Sequence, residues 1–202
     1  MQAANFIDKA KDPKAWRKHA RALRQSADVL WGEFGKKLIA ACLQAKEHET
    51  SPELEATLEF FETTKLLYGL ALETALKAWI IKHDPSKIEL RVIIDGRGEA
   101  TSAELKTVGV SSSQGHNLLA LAEAAGIFSV GFNSVLKTDN DRSAMRNICR
   151  DLGEVVVWRG RYPIPLASYE PMQLDPNVPN VAVAHYMRDW LDPILNALLQ
   201  EK

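Results

Sequence analysis

"LLYGLALETALKAWII", residues 66 to 81, is apolar on nearly every side once wound into a helix, with only Glu73 and Lys77 breaking the pattern. A helix that is apolar all round is one surrounded by others, so this run is expected to be the central helix of an all-α fold. The helix reads from about Pro52, with Ser51 able to cap it and Leu54, Leu58 and Phe61 sharing an apolar face. It closes at His83, because Asp84 precedes a proline and the residue before a proline disfavours helical backbone.

The two charges inside the run pose a physical question. An unpaired charge in such a place costs several kcal/mol, so each needs a partner or a route to solvent. Glu73 and Lys77 stand four apart and can pair with each other. Beyond the helix, the best remaining partners for Glu73 are His116, in "SQGHNLLALAEAAGI", and Arg159 and Arg161, which flank the chain near Tyr162 in "VVVWRGRYPIP". A carboxylate tied to an imidazole at one helix start and a guanidinium at another helix end would fix the register of three helices as a buried lock. The sharper reading of the same cluster is a catalytic or anion-binding site.

Outward from the centre, Trp16, Ala20, Leu23, Ala27, Leu30, Trp31, Phe34, Leu38 and Cys42 recur at three- and four-residue steps. They predict a helix from Asp12 to about Lys46, with Asp12 and Pro13 as cap and first turn. Gly32 and Gly35 are weak points where it could kink. After the central helix, residues 88 to 115 read as a long, irregular, partly ordered insertion, in which "LRVII" could be a short strand but an isolated strand pair is marginal, and one helical turn is expected around Ala103 to Lys106. A short helix opening at Gln114 or His116 is expected to end at Gly126. Another begins after Ser129 or Asn133, is disturbed at "KTDND", and resumes from Asp141 to Val157, burying Ala144, Ile148, Leu152, Val155 and Val156. A proline-rich, nonhelical segment follows, then a last helix from Val181 to about Gln200 with a bend at Pro193.

The 202 residues suit a single helical domain, 1–202, and a net charge of -1 offers no global attraction to nucleic acid or anionic membrane. Arg142, Arg146 and Arg150 share one helix face, which reads as solvated or, if functional, as phosphate contacts. Cys42 and Cys149 read as small buried hydrophobes. Asp139, Asn140 and Asp141 read as an N-cap cluster. The standard phosphate-cradling loops and HExxH are absent, and His19, His48, His83, His116 and His185 are scattered, so neither metal nor cofactor is expected. With no apolar leader and no run long enough to span a bilayer, a cytoplasmic protein is expected.

The order "LYGLALETALKAWIIKHDP", "GHNLLALAEAAGI" and a long helix ending "WRGRYP" resembles uncharacterised bacterial members of the HEPN superfamily, over roughly residues 55 to 165. The resemblance implies a bundle of four to five main helices, commonly a homodimer, acting on a nucleotide, RNA or protein partner. Glu73, His116, Arg159, Arg161 and Tyr162 match recurrent polar positions of that group. The superfamily's ribonucleases carry an Arg followed within a few residues by His. In "RNICRDLGE" Arg146 and Asn147 match its start but no histidine follows. The resemblance therefore implies a noncatalytic binding or regulatory module. The alternative is a ribonuclease with an unconventional site around His116 and Arg161, aided by Arg146. A third reading, a subunit of a larger assembly, would leave apolar surface exposed around Trp190 and Leu191.

Overall fold

A computed structural model of the chain describes residues 2–159 and 180–200, apart from the side chains of 55–59, 159 and 180–187. The described chain is mostly helical. In order it forms α1 (Ala3–Lys11), α2 (Pro13–Glu47), α3 (Glu55–His83), a hairpin of β1 (Ile88–Ile94) and β2 (Ala100–Val108), α4 (Leu118–Ala124), α5 (Asp139–Glu154) and α6 (Asn180–Leu199). A π-helical turn, Val155–Arg159, continues α5.

The apolar run is the centre. Helices α2, α4, α5 and α6 all pack against α3, and Tyr68, Leu72, Ala75, Leu76 and Ile81 are buried in one core with Leu118, Leu121, Met145, Leu152 and Leu191. The helix begins at Glu55, after Leu54 and without a side-chain cap, so Ser51 and Pro52 lie ahead of it. Its end is as expected: the Asp84 N–H bonds to the Ile80 carbonyl, and the Asp84 carboxylate accepts from Ser86 N–H.

Asp12 caps α2 by accepting from Lys14 N–H at 2.9 Å, with Pro13 in the first turn. At 1.5 Å per residue the helix is about 52 Å long, and it passes through Gly32 and Gly35 unbroken. Packing on α3 offsets the glycine penalty: Trp31, Phe34 and Phe61 form an aromatic cluster, Phe34 stacking on Phe61 at 5.3 Å. Cys149 is buried, but Cys42 is exposed, correcting its reading as a core residue. It stands about 60° around the helix from buried Ala45, which takes it off the packed face.

The insertion is ordered. Ala103 to Lys106 belong to β2, with Ala103 opposite Val92 and Leu105 opposite Leu90, so the helical turn expected there is replaced by strand. Asp95 builds the hairpin turn by accepting from Arg97 N–H and Glu99 N–H, and Gly98 takes φ +84°, a conformation that suits glycine. The pair is more than an isolated hairpin because α1, a helix the sequence pattern did not reveal, packs on β2, and Val108 is buried in the main core.

Further along, Asn117, rather than Gln114 or His116, caps α4 by accepting from Ala120 N–H. Gly126, at φ +71°, follows its end, and Ile127 N–H returns to the Ala122 carbonyl in a Schellman-type stop. No helix runs from Asn133 into α5: Val130–Phe132 is a single 3₁₀ turn. Thr138 is the cap of α5, and Asp141 completes a capping box by accepting from Thr138 N–H. The five residues expected on its buried face are all buried.

In α6, Leu191, Ile194, Leu195 and Leu198 are buried and Trp190 is partly so. The exposed apolar surface that the third reading would require is not found at Trp190 and Leu191, since these residues close the bundle over α3. The proline-rich segment expected before α6 lies outside the described residues. No helix among them is long and apolar enough to cross a membrane.

Candidate functional site

Glu73 is only 6% exposed and has two partners. Lys77 Nζ, one turn on, donates to Oε1 at 2.6 Å, and His116 Nδ1 lies 3.1 Å from Oε1 and 3.0 Å from Oε2. The carboxylate accepts from both, which is what allows it to sit in an apolar helix. Nδ1 is the ring atom that faces the carboxylate, and Nε2 points away from it.

Nε2 has no hydrogen-bond partner among the described residues, and the His116 side chain is 56% exposed. It stands on the rim of a cleft of about 910 Å³. One wall is the segment ahead of α4, with Ser112, Ser113 and Asn117; the other is the end of α5 and its π-turn, with Arg150, Glu154 and Trp158. Gly153 lies between these walls, where a Cβ would make only ordinary contact with Leu118, 3.8 Å from its N. The cleft offers a guanidinium, an imidazole, hydroxyls and an indole, with Glu154 as its acidic group.

Cys149 also lines the cleft. Burial pushes its thiol up to about 12, so it is protonated at neutral pH and is no nucleophile. Among the described residues no group of three or more His, Cys, Asp or Glu could hold a metal ion.

The other residues singled out from sequence fall into two groups. Arg142 donates to Asp139 and Asn133, Arg146 lies over the Phe128 ring at 4.2 Å, and Arg150 donates to Asn147. The first two are engaged with neighbours on their own surface, and Arg150 alone of the three lines the cleft. The backbone of Arg159 closes the π-turn; its side chain, with Arg161 and Tyr162, lies outside the described residues.

Two polar clusters were missed by sequence reasoning. Buried Tyr68 donates to Asp28 Oδ1 at 2.5 Å, and around them Arg188 lies 3.6 Å from Asp28 and 3.0 Å from Asp192, which also accepts from Arg24. Burial first, then the bond to Asp28, hold the Tyr68 hydroxyl well above the ordinary phenol range. The available signal was a phenol hydroxyl in an apolar helix, which must find a partner. The second is Lys65, 7% exposed, whose Nζ reaches Asp151 at 2.8 Å and so ties α3 to α5. The first is balanced in charge, and in the second Glu62 also lies 3.9 Å from Lys65 Nζ; both are structural in character.

No family model, curated protein or solved structure matches this chain.

Proposed function

We propose that the chain is a HEPN-like binding or regulatory module whose cleft between α4 and α5 takes a nucleotide, free or at the end of an RNA strand. The observation that carries this reading is the Glu73–His116 pair, a buried carboxylate holding an exposed imidazole on the rim of the cleft, its Nε2 without a partner among the described residues. Arg150 supplies charge for a phosphate, Ser112 and Ser113 supply hydroxyl donors, and Trp158 supplies an apolar face of the kind that stacks on a base. Glu73 positions the imidazole without reaching the ligand.

Isothermal titration with mononucleotides and short RNA tests it. Arg150→Ala and His116→Ala should each weaken binding about tenfold, the loss of one charge-assisted hydrogen bond. Glu73→Gln should weaken it less, because the imidazole is then held by a weaker, neutral partner and is freer to turn. Absence of binding to any nucleotide, or binding indifferent to all three substitutions, sinks the reading.

The same geometry favours one alternative. An imidazole oriented by a carboxylate, with Nε2 open to a cleft, is the arrangement of a general base, and RNA breakdown lost on His116→Ala with the fold intact would establish a ribonuclease instead.

A further inference from the structure

The outer face of α2 is uncovered by any other described element. Val29, Ile39 and Leu43 are 66%, 62% and 63% exposed. Steps of three and four residues return to one side of a helix, so they form a single stripe with Gln25, Gly32 and Lys36, all exposed. Three large aliphatic side chains in line differ from hydrophobes scattered singly on a surface, and such patches mark interaction sites. Gly32, mid-stripe, has nothing within 4 Å of the place a Cβ would occupy. No packing among the described residues therefore accounts for a residue that costs about 1 kcal/mol in a helix interior.

We infer that this stripe docks a second copy of the chain, α2 against α2, antiparallel, with the two-fold axis level with residue 34. The pairs 25 and 43, 29 and 39, and 32 and 36 are each equally spaced about that level. Val29 of one copy then meets Ile39 of the other, apolar on apolar. Gly32 meets Lys36, whose aliphatic stem fills the space where no Cβ stands and carries its ammonium toward Glu33 of the other copy. Lys36 and Glu33 already pair at 2.7 Å within one chain, with side chains 74% and 46% exposed, and an exposed pair of this kind exchanges partners at little cost. Gln25 and Leu43 form the two ends, where a polar rim belongs. A parallel pairing sets Lys36 on Lys36, as does an antiparallel one centred on residue 36. Shape and charge thus select one register, and the face is complementary to itself.

Sedimentation equilibrium and native mass spectrometry of the full chain test the inference. A dimer is expected, and Ile39→Glu should raise its dissociation constant about 100-fold, tenfold for each of two symmetry-related contacts, while the far-UV spectrum stays unchanged. In a Cys42→Ser background, oxidising a mixture of the Gly32→Cys and Lys36→Cys variants should link residue 32 of one copy to residue 36 of the other, whereas each variant alone should not crosslink. A chain that is monomeric at every concentration, a dimer indifferent to Ile39→Glu, or a crosslink formed by either variant alone overturns it.

Discussion

Glu73 is tolerated in the most apolar helix because Lys77 and His116 both reach its carboxylate. This much is readable from sequence, since a buried charge requires partners and few residues could supply them. The buried phenol and thiol follow the same logic with a different consequence for pH. Burial raises both Cys149 and Tyr68 above their ordinary values, so the fold favours the neutral forms. For a raised acid, the stabilisation is fully present below the unfolded value, about 8.5 for a thiol and 10 for a phenol, and is lost as pH rises toward the folded value. The thermal midpoint should therefore fall as pH climbs above about 8.5. Cys149→Ala should flatten the first part of that fall, after a loss of roughly 1 kcal/mol at neutral pH from lost packing. Tyr68→Phe should flatten the later part and cost about 1 kcal/mol for the bond to Asp28. An alkaline limb identical in both variants and the wild type would show that neither group titrates on unfolding.

At the scale of elements, periodicity carries what is periodic. Helices α2, α3, α4 and α5 are visible in sequence because each has an apolar face set by the core, and the Asp12–Pro13 and Gly126 signals mark their ends. Of the hairpin the pattern offered only a short strand at residues 90 to 94, because the pair is supported by α1, a neighbour nearly a hundred residues away in the chain. The end of α5 is a second case. Gly69 sits where α3 crosses the π-turn: a Cβ there would stand 2.5 Å from Val156 Cγ2 and 3.3 Å from the Leu152 carbonyl oxygen. By intrinsic propensity a glycine inside a helix weakens it. In the fold Gly69 is what permits α3 and α5 to touch, and the backbone oxygen cannot yield as a side chain could. Gly69→Ala, which in a free helix would stabilise by about 1 kcal/mol, should instead destabilise the protein by about 1–3 kcal/mol, read as a lower urea midpoint. A gain in stability would mean that the two elements separate more easily than this contact implies.

For the whole molecule, α3 is the element that every other helix of the core touches, and this centrality was legible from residues 66–81 alone. Which polar groups tie the bundle together was less so. Arg21 donates to the Leu199 carbonyl and Arg24 to Asn196 and Asp192, contacts that join α2 to α6 across more than 160 residues of chain and leave no local pattern. Cooperativity follows from the same topology. Tyr68 meets α2 through Asp28, Lys65 meets α5 through Asp151, and Glu73 meets the start of α4 through His116, so α3 cannot open without breaking all three. Hydrogen exchange should then be slowest in α3 at Ala71 to Ile81, with protection equal to global stability. The tip of the hairpin is the opposite extreme. Ile93 and Ile94 are 53% and 62% exposed, whereas the hairpin meets the core away from its tip, through buried Val108 and through Ile88 and Leu105 packed against it. Amides around Ile93 and Ser102 should exchange through local opening, orders of magnitude faster and with little dependence on denaturant. If hairpin and α3 amides exchange together, the hairpin belongs to the cooperative core, and something beyond α1 and Val108 holds it there.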